Sequence, residues 1–201
     1  MAKTQEGTPL PDNDRTRWLM KHESLLRILA RHEINQRFAG KFDPSDVVQQ
    51  TLMEAWRGWE HLQATDEPQR AAWLRQILAH QIARFVRHHQ GTQKRDISRE
   101  WSLEQSLECS MTRSSTRLES MVIAQDPSPS QAAIALEQKS RLAKILDNLP
   151  DDYRTVILLR NFEDLSHEEI AKRMGRSDAA VRMLWLRALA ALTKAISDQS
   201  L

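Results

Sequence analysis

Cysteine is almost missing from this sequence, since Cys109 is the only one in 201 residues. A lone thiol cannot close an internal disulfide, and no Cys/His pair has zinc-ligand spacing, which excludes a disulfide scaffold and a zinc finger. His80, His88 and His89 lie close together, yet no carboxylate or Cys completes a ligand set, so no metal and no cofactor is expected. Glycine and proline are scarce, at 5 and 7 residues, and runs of Val, Ile, Thr or aromatic residues that would read as strands are few. Apolar runs of about 18 residues, the length a membrane helix needs, are absent as well. The segment from Met1 to Asp14 is polar, contains Pro9 and Pro11, and lacks the apolar stretch of a signal peptide. A cytoplasmic chain without membrane insertion is the expectation. Nor does the sequence carry a Gly-rich phosphate loop, paired carboxylates or a nucleophile elbow, so no enzyme is expected.

What remains is rich in helix formers. Hydrophobic residues make up 40% and charged residues 28%, the balance of a globular chain with a real core. The fold class read from this is all-α, as two small helical domains joined by a flexible linker. The first block is placed at 14–95, the linker at 96–130 and the second block at 131–198. Ser and Thr crowd the linker, and Asp126-Pro127-Ser128-Pro129-Ser130 ends it because such a run cannot continue a helix. Leu103, Leu107, Leu118, Met121, Val122 and Ile123 suggest short helical or strap-like contacts within it.

The formal net charge is only +2, but the charge is unevenly spread. From Asp43 to Glu67 six acidic residues face one basic residue, Arg57, whereas from Arg70 to Arg99 seven basic residues face one acidic residue, Asp96. An acidic helix followed by a basic one suggests two different partners, one of them a polyanion.

Asp43-Pro44-Ser45-Asp46 is a helix start, with Asp43 as cap, Pro44 in the first turn and Asp46 at the positive end. Val48, Leu52, Ala55 and Trp59 then share a core face, with Trp56 at its margin. Asp46, Gln49, Gln50, Met53 and Glu54 point outward, as a binding face or as a solvated one.

In the next helix Leu74, Leu78, Ile82 and Phe85 form the apolar stripe, with Ile77 alongside. Trp73, Gln76, His80, Arg84 and Arg87 take the opposite face. Indole and guanidinium groups together suit single-stranded nucleic acid, because bases stack on aromatic rings while Arg neutralises phosphate. Packing of Trp73 on a neighbouring element is the competing reading, and spacing does not separate the two.

The second block is more explicit. Ser166 and Glu169 form a capping box, flanked by Leu165 and Ile170 in the staple positions. Gly175 follows, able to adopt positive φ, and Ser177 caps a second helix opening at Asp178. This is a helix-turn-helix layout. Val181, Leu184, Trp185, Ala188, Ala191, Leu192 and Ala195 form the buried face of its second helix. Arg176, Ser177, Asp178, Arg182 and Met183, flanked by Arg187, are the candidates for reading base edges in a major groove. Exposed Met183 and Leu186 could instead pack on a protein.

In their order along the chain these motifs resemble the extracytoplasmic-function sigma factors of bacterial RNA polymerase. Asp43-x-x-Asp46-x-x-Gln49 with Trp56 resembles that family's polymerase-docking segment, and Trp73-Leu74 with Ile77 and Arg87 is similar to its promoter-melting helix. Leu149-Pro150, Tyr153-Arg154, the run from Leu165 to Ala171, Gly175, Val181-Arg182 and Arg187-Ala188 resemble its C-terminal domain. The resemblance implies a region 2 bundle and a region 4 helix-turn-helix. It implies core RNA polymerase as partner, through the β′ clamp helices and the β flap, together with promoter DNA and, as in many relatives, an anti-sigma factor. Asp46, Gln49, Gln50, Met53 and Glu54 would face polymerase. Trp73, Gln76, His80, Arg84 and Arg87 would face the melted −10 element, with the loop from Gly58 to Gln69 holding a flipped base. Arg176, Ser177, Asp178, Arg182, Met183 and Arg187 would face the −35 element. His80, Arg84 and Ala180 depart from the family's usual Asn, Asp and Thr, which bears on the bases read. A one-component regulator, binding an operator without polymerase, is the alternative.

Overall fold

Asp43 accepts a hydrogen bond from the Ser45 N–H at 2.8 Å and opens α2 (Pro44–Gly58), as its sequence dictates. The computed structural model describes residues 12–38, 43–62, 64, 66–90, 97–120 and 129–198. Lys94, Arg95, Asp96, Asp126, Pro127 and Ser128, as well as Met121 to Ile123, lie outside the described residues. Among those described there are helices and turns and no strand, as an all-α reading requires. The chain divides into two compact units, Met1–Thr112 and Arg113–Leu201.

In the first unit α1 (Asp12–Phe38), α2 and α3 (Glu67–Gln90) pack against one another, with a 3₁₀ turn, Trp59–His61, after α2. Its core holds Leu26, Ile28, Leu29 and Ile34 of α1, Val47, Val48 and Ala55 of α2, and Leu74, Leu78 and Ile82 of α3. The α2 face is turned from the one the apolar spacing suggests. Val47 and Thr51 are buried, whereas Leu52 is half-buried. Thr51 tolerates burial because its hydroxyl donates to the Val47 carbonyl at 2.8 Å, which satisfies that hydroxyl within the core. On α3, Phe85 and Ile77 are half-buried, and Ala79, Ala83 and Val86 join the buried side.

The first turn of α3 is tied to α1 through one carboxylate. Trp18 Nε1 donates to Glu67 Oε2 at 2.7 Å, His22 Nε2 stands 3.2 Å from Oε1, and Arg70 Nε stands 3.8 Å from Oε2. Burial by itself would raise the Glu67 pKa. Hydrogen bonds from His22 and Trp18 and the charges of His22 and Arg70 outweigh it and hold the carboxyl below its ordinary value. The indole of Trp18 lies edge-on to Trp59 with ring centroids 5.2 Å apart, and Trp59 lies edge-on to Trp73 at 6.0 Å. These are separations at which tilted aromatic pairs attract.

Helix α4 (Ile97–Ser120) occupies most of the segment between the two sequence blocks, and the division between the units falls within it. One continuous helix of 24 residues stands where the side-chain pattern suggests short contacts. Leu107, Met111 and Leu118 are fully buried, which gives the helix an apolar edge that a spacer would lack.

The second unit holds α5 (Pro129–Asn148), α6 (Asp151–Phe162), α7 (His167–Met174) and α8 (Asp178–Asp198). Helix α8 packs on α5, α6 and α7, and α6 also packs on α7. Val181, Leu184, Ala188 and Leu192 of α8 are buried, together with Leu146, Val156, Ile157 and Ile170. Trp185, Ala191 and Ala195 are half-buried at the margins of that face. Arg117, in the part of α4 that belongs to this unit, donates to the carbonyls of Asn161 and Phe162 at 3.3 and 2.7 Å. It thereby meets acceptors that the end of α6 leaves open.

Candidate nucleic-acid interface

Three sets of exposed side chains follow from this architecture, two in the first unit and one in the second. On α2, Asp46, Gln49, Gln50, Met53 and Glu54 are all exposed. Met53 and Trp56 also border a shallow apolar groove with Thr16, Leu19, Met20, Leu52 and Arg57. The groove exists because Leu52 is left out of the core.

On α3, Gln76, His80, Arg84 and Arg87 are exposed and Trp73 is half-buried. Trp73 therefore packs on a neighbouring element and keeps part of its surface accessible. One edge of its ring meets Trp59, and a methyl placed on Gly58 would come within 3.4 Å of its Cζ2. Arg84, Arg87 and His88 line a cavity of about 560 Å³ with Gln50, Gln81 and Phe85. A cationic hollow with an aromatic wall suits a nucleotide's phosphate and base together.

Two members of this face are engaged by α4. Gln76 Nε2 donates to Glu108 Oε1 at 3.1 Å, and His80 Nδ1 stands 3.2 Å from Glu104 Oε1. Neither glutamate was singled out by the sequence patterns. Their four-residue spacing, beside Leu103, Leu107 and Met111 at the same interval, is the signal that marks them.

In the second unit the capping box is complete. Ser166 N–H donates to Glu169 Oε2 at 2.7 Å, and Glu169 N–H donates to Ser166 Oγ at 3.3 Å. Hydrogen bonds from Ser166 hold the Glu169 carboxyl below its ordinary value, which reflects a carboxylate stabilised at a helix N-terminus. Gly175 takes φ +64° and ends α7, and Arg176 N–H reaches back to the Ala171 carbonyl at 2.9 Å. That closure turns the chain directly into α8, where Ser177 Oγ accepts from Ala180 N–H at 3.2 Å.

Helix α8 consequently presents Arg182, Met183, Leu186 and Arg187 outward, Met183 at 51% and Leu186 at 58% exposure. Arg182 Nε lies 2.8 Å from Asp178 Oδ2, one turn earlier on α8. Arg176 Nη2 is held by Asp152 of α6 at 2.5 Å. Arg176 and Ser177 are exposed and structurally engaged, Asp178 is half-buried and paired with Arg182, and Arg182, Met183 and Arg187 make up the outward row.

Comparison with known proteins places both units. The Sigma-70 region 2 family model matches residues 19–92, and the Sigma-70, region 4 model matches residues 139–192. A Xanthomonas campestris pv. campestris protein named "Probable RNA polymerase sigma factor RfaY" is 29% identical over 146 residues, covering 72% of this chain and 32% of the relative. RNA polymerase sigma-H factor of Pseudomonas aeruginosa is 38% identical over 69 residues, covering 34% of this chain and 36% of its own length. RNA polymerase sigma factor SigV of Bacillus subtilis is 48% identical over 48 residues, covering 24% of this chain and 29% of its own length. The chain spans about a third of the length of the relatives it matches. With a region 2 bundle and a region 4 helix-turn-helix in that order, the chain belongs to the sigma-70 family, among its extracytoplasmic-function members.

Proposed function

We propose that this chain binds core RNA polymerase and directs promoter-specific initiation, reading −35 duplex with α8 and capturing the −10 element on α3. The observation that carries this reading is the pairing of two different exposed faces within one sigma-family chain. A Trp/Arg face beside a cationic cavity lies on α3, and a capped, glycine-turned helix carrying Arg182, Met183 and Arg187 lies in the second unit.

Each face suits a separate part of the task. Asp46, Gln49, Gln50, Met53 and Glu54 on α2 form a mixed acidic surface with one flexible apolar side chain, suited to the β′ clamp helices. Trp73, Gln76, His80, Arg84 and Arg87 offer stacking, donors and positive charge to extruded bases. Arg176, Ser177, Asp178, Arg182, Met183 and Arg187 lie around the start of α8, the part of a recognition helix that meets base edges. The region 4 unit would also meet the β flap, and an anti-sigma protein would bind one or both units.

Such a factor makes no bond itself. It recruits polymerase, fixes register by phosphate contacts and reads sequence by base contacts. Its place of action would be the cytoplasm, and no described helix is long and apolar enough to cross a membrane. A one-component regulator is not favoured, because the region 2 match covers the block that would have to be its sensor.

Reconstitution tests the reading. The purified chain with core RNA polymerase on a promoter library is expected to give initiation at defined start sites that core alone does not give. Tight operator binding by the chain alone, with no polymerase-dependent initiation, would overturn it.

A further inference from the structure

We infer that α4 is an internal competitor for the −10 face, holding two of its donors with carboxylates until single-stranded DNA displaces it. The inference rests on the assignment of α3 to the −10 element. Gln76 and His80 sit one helical turn apart on α3, and Glu108 and Glu104 sit one turn apart on α4. Gln76 meets Glu108 at 3.1 Å and His80 meets Glu104 at 3.2 Å. The pairs run in opposite directions along the two helices, so α4 lies antiparallel along this edge of α3 rather than touching it at one point.

Carboxylate and phosphate present the same chemistry to a donor, namely anionic oxygens at hydrogen-bond distance. An extruded nucleotide approaching Gln76 and His80 therefore meets oxygens already in place. The strap is held from another side too, because Arg37 Nη1 of α1 donates to Ser106 Oγ of α4 at 3.0 Å. Between these polar ties Leu107 is fully buried, as is Met111 one turn further along α4, so α4 has an apolar anchor as well as polar contacts.

The strength of the mask follows from its exposure. Gln76 and His80 are exposed, and Glu104 and Glu108 are half-buried. Pairs of this kind change an equilibrium by about twofold to fivefold each. A mask built from them yields to a ligand that brings several phosphates and stacked bases, yet it disfavours weak contacts with nucleic acid at large. The helix thereby raises the threshold for engagement without abolishing it.

Cys109, exposed and adjacent to Glu108, offers a reporter site without any substitution. The full chain, labelled there with an environment-sensitive dye and bound to core RNA polymerase, is titrated with a pool of short single-stranded DNA of randomised sequence. The dye signal is expected to change with the same midpoint as DNA binding measured by anisotropy. Glu104→Ala with Glu108→Ala is expected to bind the pool about fivefold more tightly. Glu137→Ala with Asp198→Ala, an equal loss of charge at exposed sites in the second unit, should leave affinity unchanged. If DNA binds with no change at Cys109, or if the two double variants bind alike, the mask is overturned while the sigma reading stands. If the chain forms no complex with polymerase, or that complex binds no single-stranded DNA, both fall together.

Discussion

Arg154 Nη2 donates to the Leu149 carbonyl at 2.7 Å, from a side chain that is almost wholly buried. The same guanidinium reaches the carbonyls of Leu146 and Asp147 at 3.0 and 2.8 Å and the Asp151 carboxylate at 2.7 Å. A helix end leaves its last carbonyls without partners, and here one forked cation gathers those of α5 and binds them to the first turn of α6. This joint sets the frame on which α7 and α8 are built.

Arg154→Ala should therefore destabilise the second unit by about 3 kcal/mol, since it removes charge-assisted bonds and leaves buried acceptors unmet. Arg154→Lys should recover less than half, because an ammonium group cannot serve three carbonyls with a fixed fork. Native-state hydrogen exchange of the α6 and α8 amides measures both. Wild-type protection in Arg154→Ala would show that water replaces the guanidinium without loss.

The Glu67 carboxylate gives the first unit an acid dependence. Its folded pKa lies below the ordinary value, so the charged form adds stability above the unfolded carboxyl's range. That contribution is lost as pH falls through the lowered folded value. Thermal melts of the wild type should decline across this acid window, and those of Glu67→Gln should start lower and decline less. Parallel curves for the two proteins would place the acid sensitivity in another group.

Gly58 has φ −81° and ψ −5°, a conformation open to alanine, and a Cβ there would make only ordinary contact with Trp73 at 3.4 Å. Gly58→Ala should hold or raise stability, by up to about 1 kcal/mol, through the unfolded chain's lost freedom. Trp73→Ala, by contrast, removes a ring that packs on Trp59 and that the proposed reading assigns to base stacking. In polymerase complexes it should impair strand opening, followed by permanganate reactivity, more than closed-complex formation. Equal loss of both would assign Trp73 to packing alone.

The features legible in the sequence are those whose chemistry is local. Ser166, Glu169 and Gly175 lie within ten residues of one another, and their caps and turn depend on little else. The rotation of α2 was harder to read, because Val47 and Thr51 lie only one position from Val48 and Leu52. The choice between these neighbouring stripes is made by α1 and α3, not by the helix itself. Trp73 divides in the same way, since its spacing suits either role and the Trp59 contact arises only in the fold. Arg154 was visible as part of a motif, but its hold on α5 required the turn at Leu149-Pro150 to fold back. Least legible were the α3 pairings of Glu104 and Glu108, which join residues 24 and 32 positions apart. No helical periodicity encodes such a separation, and a segment rich in Ser and Thr reads more readily as spacer.

Arg182 and Arg187 should separate base reading from phosphate binding in the second unit. Arg182 lies within the N-terminal half of α8, its guanidinium 2.8 Å from Asp178, and in the proposed docking it would form a forked pair with a guanine edge. Arg187 projects from the exposed side further along α8, and in the proposed docking of α8 it would face the sugar-phosphate backbone rather than base edges. Arg182→Ala should weaken binding to the preferred −35 duplex by about 1–3 kcal/mol and relax discrimination at one base pair. Arg187→Ala should weaken all duplexes nearly alike and reduce the slope of log affinity against log salt by about one. Competition binding on a set of single-base variants at several salt concentrations distinguishes the two. If Arg182→Ala behaved as Arg187→Ala is expected to, base reading would pass to Met183 and the residues at the turn, and the guanidinium would serve only to anchor α8.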